Sequence, residues 1–498
     1  MLAHPGRRTD QTKGKAMTDA QLFIGGQHVK LDEARTCTRL DPVTGDVATR
    51  FAAATTRDAE AAVNAAREAF PAWSASTPAH RREVLSKAAD ILSARAGDFI
   101  NAMQSEIGST AGWAGFNVML AAQMLREAAA MTTQVKGEII PSNKPGSLSM
   151  AVRKPAGVCL AMAPWNAPVI LGVRAVAMPL AVGNTVVLKS SETCPMTHLL
   201  IAECLHEAGC ADGVINVISN APEDAPELVR TMIEHPAVRR VNFTGSTNVG
   251  REIAKVAAEN LKPVLLELGG KAPLVVLEDA DMDGAVNAAV FGCFMNQGQI
   301  CMSTERVLVA SAIADEFTRK FVARAAALVA ADPRENGPLG SLVGMASTQR
   351  LNGLVKDALD KGANLLTGGT SESVIYQPTV LVDVTEDMRI FSEESFGPVK
   401  AIYRFDTEEE ALRMANDTQY GLSAAVFSRD VSRAQAFADK IESGICHING
   451  PTVHDEAHMP FGGVKNSGHG RFGGTAAIYE FTELRWITIE DPAQHYPI

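Results

Sequence analysis

From residue 157 onward the chain alternates short apolar runs with stretches of helical periodicity, and nothing else in it limits the possible folds so tightly. Gly157 to Met162, Thr185 to Leu188, Val214 to Ile218 and Arg240 to Phe243 read as strands. Between them, His198 to Ala208 and Ala225 to His235 place apolar residues near i, i+3 and i+4, the spacing of one helix face. The segment VNFTGSTNVGREIAKVAA follows the same grammar. It holds a strand ending at Phe243, a turn through Gly245, and a helix with Val249, Ile253 and Val256 on one face. Strands alternating with covering helices imply an α/β fold with a doubly wound parallel sheet, whose ligand crevice lies outside the strands' carboxyl ends.

At 498 residues the chain is too long for a single core. Pro263 to Leu266 resumes the strand pattern and runs into ELGG. Beyond it APLVVL and TERVLVAS read as buried strands separated by a helix from about Met282 to Asn296, so a second α/β unit begins near residue 268. Upstream, Ala59 to Phe70 and Arg81 to Glu106 are helical and alanine-rich, whereas Gly137 to Val152 contains SNKPGS and reads as an extended excursion. Residues 1–16 are polar and lack the apolar core of a signal peptide, and Met17 resembles a natural start. The first sixteen residues therefore read as a tag, an upstream start or a disordered extension.

Composition narrows the partners. The formal net charge is −11 and no dense Lys/Arg run is present, which argues against nucleic acid and anionic membrane. No apolar stretch reaches the roughly 18 residues of a membrane span. The eight cysteines form no CxxC pair and no zinc-like Cys/His spacing, so reduced thiols, a cytoplasmic location and no metal are expected.

Three segments carry chemistry. NQGQICMSTERV puts Cys301 after a glycine-containing helix end and before a strand, where backbone N–H groups can support a nucleophilic thiolate; a buried apolar filler is the alternative. LLELGGKAP places Glu267 at a strand's carboxyl end beside two glycines that permit close approach, with a solvated turn carboxylate as the alternative. LAMAPWNAPVILGVRAVAMPL passes from strand to helix at Asn166, which is either an N-cap or an amide donor to an oxyanion.

These motifs, taken with VVLKSSE at 186–192, FTGSTNVG at 243–250 and EESFGPV at 393–399, resemble the aldehyde dehydrogenase superfamily in order and spacing from about residue 20 to the end. The resemblance implies an NAD-binding domain (17–131 and 153–267), a catalytic domain (268–477) and small β oligomerisation segments (132–152 and 478–498) of a homodimer or homotetramer. It implies that Cys301 captures the aldehyde, Asn166 and the Cys301 N–H hold the oxyanion, and Glu267 activates the hydrolytic water. For the cofactor it implies Lys189 and Glu192 on the adenosine ribose, Gly245 and Ser246 at the pyrophosphate, Glu394 on the nicotinamide ribose, and Trp165 and Phe396 nearby. The carboxylate of Glu192 would repel a 2′-phosphate, which favours NAD. An acylating enzyme using coenzyme A, or a silent structural relative, fits less well with Glu267, Cys301 and Asn166 all present.

The string GHGRFG at 468–473 spells a dinucleotide fingerprint but lacks a preceding strand, and it reads as a flexible connection. Long stretches around Asn166, Cys301 and residues 447–474 are similar to bacterial salicylaldehyde and vanillin dehydrogenases, so an aromatic aldehyde is expected, with a carboxylated semialdehyde as the rival. Arg174 falls eight residues past Asn166, about two helical turns, and either orients an anionic substrate group or makes an internal ion pair. Trp113 reads as an aromatic wall or, as is commoner for a tryptophan at such a position, ordinary core, and Asn117, one turn on, is placed at the entrance.

Overall fold

The computed structural model describes residues 18–493, so the expectation for residues 1–16 lies outside the described residues. Two large sheets dominate. In the first, Val264–Glu267, Val238–Thr244, Val158–Met162, Thr185–Lys189 and Ile215–Ile218 lie side by side in that order and run parallel. Antiparallel strands close both ends: Leu22–Ile24 beside Ile215–Ile218, and Gly468–His469 beside Val264–Glu267. The second sheet aligns Thr379–Val382, Val399–Phe405, Thr304–Ala310, Ala272–Val276, Ser423–Phe427 and Ile445–Ile448 in parallel, with Asn364–Thr367 antiparallel at one edge.

The central strands of both sheets are almost wholly buried because helices cover them, which is why they read as continuous apolar runs. The helix Pro168–Ala181 is buried along its entire length, against Ala111–Met131 on one side and Pro195–Glu207 on another. Expected elements recur with small shifts in their ends. Two differ in kind. The stretch from Arg81 to Glu106 is two helices, Pro78–Ala94 and Ala96–Ile107, interrupted at Arg95. In Thr247–Glu259, Ile253 and Val256 are buried as expected but Val249 is exposed, near the helix N-terminus.

The excursion at 137–152 forms Glu138–Ile140 and Leu148–Pro155, and the latter is the central strand of a three-stranded antiparallel sheet, between Glu138–Ile140 and Thr482–Ile489. Asn184 fastens this extension to the first large sheet. Its Oδ1 accepts from the Gly157 N–H at 2.9 Å and its Nδ2 donates to the Phe481 carbonyl at 2.8 Å, fully out of solvent. Asn184→Leu keeps the volume but strands both backbone groups, at about 1–3 kcal/mol each. Urea denaturation should show a loss of about 2–4 kcal/mol; a change within error would mean that the tail is held by other contacts.

Candidate active site

The carboxyl ends of the first sheet converge on the loop that enters the second. Val264–Glu267 delivers Glu267 and continues through ELGG, whose glycines let backbone press on backbone. A Cβ on Gly270 would lie 2.4 Å from the Cys301 carbonyl oxygen, and one on Gly269 would lie 2.7 Å from a Glu394 carboxylate oxygen. The Cys301 loop is itself strained: Asn296, Gln297 and Gly298 follow the helix Met282–Phe294 at φ of 48°, 57° and 69°, a left-handed run that only glycine adopts freely. That run ends the helix and turns Cys301, which stays partly exposed, into the space between the sheets.

Asn166 sits between its strand and the Pro168–Ala181 helix. Its amide nitrogen donates to the Gln299 carbonyl at 3.1 Å, which leaves its second N–H for a ligand. Its own carbonyl receives the Trp113 indole N–H at 3.0 Å and the Asn296 amide at 3.1 Å. Trp113, expected as an aromatic wall, is thus buried, stacked on Phe116 and committed to holding Asn166. Asn117 is corrected more firmly. It is fully buried, donates to the Trp113 carbonyl at 3.0 Å and faces the Ile170 N–H, so it braces two helices and does not line an entrance.

Arg174 adopts the ion-pair arrangement. Its guanidinium meets Asp455 at 2.5 Å and lies over the Phe461 ring, 4.1 Å from its centre. The pair acts electrostatically on both Cys301 and Glu267. Burial lifts the Glu267 carboxyl to about 8; Arg174 opposes that rise and Asp455 adds to it. Both Glu267 oxygens are buried without a hydrogen-bond partner, as is Asp455 Oδ1. The Cys301 thiol is pushed well above its usual range, first by desolvation and then by Glu267 and Glu394. The resting site therefore holds a thiol beside a base, and the stabilised thiolate expected from the loop alone is not what this environment favours.

The cofactor candidates lie along the same edge. Lys189 ends its strand 3.3 Å from Glu192, and Ser246 caps the Thr247–Glu259 helix by accepting from the Val249 N–H. A Cβ on Gly245 would strike the Phe243 ring at 2.3 Å. Glu394 accepts from the Gly270 N–H at 2.9 Å, and burial raises its carboxyl to about 7. Phe396, at φ 41°, meets Trp165 edge to face at 5.7 Å. A helix N-terminus, a lysine and two carboxylates along the carboxyl edge of a parallel sheet fit a dinucleotide.

The sequence reading missed four features. Asp455 had no motif to mark it. The Gln299 backbone carbonyl accepts from the Asn166 amide, a contact no side-chain identity reveals. The glycine-rich GHGRFG is no mere connection, since Gly468 pairs with Glu267 and Ser467 Oγ donates to the Gly269 carbonyl at 2.6 Å. Finally Glu305, Lys271 and Lys400 are charged residues inside buried strand patterns, a signal visible in TERVLVA.

Among the described residues no cluster of His, Cys, Asp and Glu suits a metal ion, and no helix is long and apolar enough to cross a membrane. What fold and site define together is an α/β protein with a partly exposed cysteine beside a buried carboxylate at the carboxyl edge of a parallel sheet. The aldehyde dehydrogenase family model matches residues 28–487, and the chain belongs to that family. It is 59% identical to a vanillin dehydrogenase of Pseudomonas sp. (strain HR199 / DSM 7063), over 97% of this chain and 100% of the relative. A benzaldehyde dehydrogenase [NAD(+)] of Pseudomonas putida is 38% identical over 92% of this chain and 94% of its own length. The crystal structure of a salicylaldehyde dehydrogenase from Pseudomonas putida G7, complexed with salicylaldehyde, superposes with a TM-score of 0.94 at 48% identity, covering 97% of this chain and 100% of that one.

A buried base raised to about 8 is competent only when ionised. Thioester hydrolysis should therefore accelerate with pH through about 8 and level off above it. Glu267→Gln should remove that inflection and slow turnover by ~10²–10⁴-fold. Single-turnover measurements across pH check this, and an unchanged inflection in the variant would assign it to another group.

Proposed function

We propose that the chain oxidises a ring-hydroxylated aromatic aldehyde to the carboxylic acid, with NAD as oxidant. One observation carries this reading: a partly exposed Cys301 thiol shares its pocket with an unpartnered, buried Glu267 carboxylate and with the Arg174–Asp455 pair. The ionised fraction of Glu267 takes the thiol proton, and the sulfur adds to the aldehyde carbon. The second N–H of Asn166 and the Cys301 backbone N–H hold the resulting oxyanion. NAD, when bound, supplies the acceptor for the hydride that leaves this carbon, so a thioester remains on Cys301. Glu267 then deprotonates water, which attacks the thioester; the acid departs and the thiol is restored.

Lys189, Glu192, Gly245, Ser246, Trp165, Glu394 and Phe396 are the residues that would hold the cofactor, and the carboxylate of Glu192 favours a free ribose 2′-hydroxyl. For the substrate, the internal pairing of Arg174 matters. With Asp455 neutralising it and Glu267 close by, the pocket gives little net attraction to a carboxylated aliphatic semialdehyde. A phenol suits it better, because Arg174 can donate to the ring oxygen while Asp455 Oδ1 accepts.

NADH formation across vanillin, salicylaldehyde, benzaldehyde and succinic semialdehyde, with Cys301→Ala as the blank, tests the class. Hydroxylated aromatic aldehydes should lead in kcat/KM. Arg174→Ala should cost them about ten- to a hundredfold while benzaldehyde loses far less. Equal losses on all would leave Arg174 with a supporting role only, and a lead for succinic semialdehyde would overturn the substrate class.

The three-stranded extension supports a homo-oligomer. It exposes Ile139, Leu484, Trp486 and Ile489, and its outer strands have unpaired edges. Sedimentation at micromolar concentration should show at least a dimer, shifted toward monomer by Trp486→Asp; a monomeric native mass would refute the assembly.

A further inference from the structure

The mechanism makes no use of a cluster of three deeply buried charges. Glu305 lies on Thr304–Ala310, four residues past Cys301; Lys271 directly follows ELGG; Lys400 lies on Val399–Phe405. The three side chains are at most 2% exposed. Glu305 Oε2 accepts from Lys271 Nζ at 2.8 Å and from the Ser395 N–H at 2.8 Å, while its Oε1 accepts from Lys400 Nζ at 2.6 Å and from Ser395 Oγ at 2.5 Å. Burial alone would raise this carboxyl, but the two ammonium groups hold it down at about 2.

Two buried cations around one anion leave a net charge in the interior. Replacing such a cluster with apolar side chains of like volume is often neutral or favourable for stability, so stability alone is a poor reason to keep it. The partners of the cluster point to another reason, since its remaining bonds go to one short loop. Lys271 Nζ donates to the Glu393 carbonyl at 2.7 Å, and Lys400 Nζ reaches Ser395 Oγ at 3.1 Å. From the opposite side Arg350 donates to the carbonyls of Glu394 and Ser395. The carbonyls of Glu393, Glu394 and Ser395 and the Ser395 N–H are thereby pinned, and the Glu394 carboxylate stands against the Gly269–Gly270 backbone.

We propose that Glu305, with Lys271, Lys400 and Ser395, forms a positioning device that fixes the Glu393–Phe396 loop and so sets the affinity for the nicotinamide ribose without touching it. This rests on the reading of Glu394 as the ribose ligand. The cluster also joins the cofactor side to the nucleophile side, because Glu305 shares a strand with the chain leaving Cys301 and Lys271 continues the turn that leaves Glu267.

The test is a set of full-length variants, Glu305→Gln, Glu394→Gln and the double variant, measured for KM of both substrates and for NAD and NADH dissociation by fluorescence titration. Glu305→Gln should raise KM and Kd for NAD by about five- to fiftyfold and leave the aldehyde KM within about twofold. The double variant should be no worse than Glu394→Gln alone, since both act through one carboxylate. Unchanged NAD affinity in Glu394→Gln would overturn the ribose reading. A loss in Glu394→Gln with none in Glu305→Gln, or equal rises in both KM values, would overturn the positioning role. Should Glu305→Gln fail to fold, Ser395→Ala removes only one hydroxyl donor and must still raise the NAD Kd by about two- to fivefold; an unchanged Kd there also overturns it.

Discussion

The contact on which the site depends is one of backbone against backbone, where Gly270 lies on the Cys301 carbonyl. Glu267 comes from the end of one sheet and Cys301 from the entry to the other, so they meet only if the two turns approach closer than side chains allow. Glycine at 269 and 270 gives that clearance. The cost of the approach falls on the other partner, where Asn296 and Gln297 hold left-handed conformations. Their strain is sustained by the bonds of Asn296 and Gln297 to the carbonyls of Asn166 and Ser341.

Desolvation rather than charge pairing sets the chemistry. Glu267, Glu394 and Asp455 are all lifted by burial, which outweighs the opposing pull of Arg174 on Glu267 and Asp455 and of Lys271 and Arg350 on Glu394. Such a pocket keeps the thiol protonated until a base takes its proton, which restrains reactions with other electrophiles. It also leaves Glu267 poised near neutrality, where a single carboxyl can accept a proton and return it.

Much of this was legible in the sequence, because strands covered on both faces by helices leave continuous apolar runs and the reactive residues sit in turns with distinctive glycines. Cys301, Glu267 and Asn166 were singled out in that way, and the fold brings them near one another. Asn117 and Trp113 were misplaced because helical periodicity gives a residue's face but not its depth; both point inward to bond backbone. Arg174 was left between two roles because its partner, Asp455, is 281 residues away in a loop without periodicity. Gly468 and His469 were read as a flexible connection because a two-residue edge strand has no pattern, only a neighbour to pair with.

The bond between Asn184 and the Phe481 carbonyl spans 297 residues, and the strand carrying the base takes its outer neighbour from near the C-terminus as well. On a ribosome adding about 5–20 residues per second, Asn184 would wait roughly 15–60 s for Phe481 and the edge of Val264–Glu267 roughly 10–40 s for Gly468. For that interval the edge of Val264–Glu267 is open to pairing with another nascent chain. The order of synthesis thus makes the half of the protein that is translated first the last to be sealed, and it places the period of greatest exposure to aggregation before the final strand has left the ribosome.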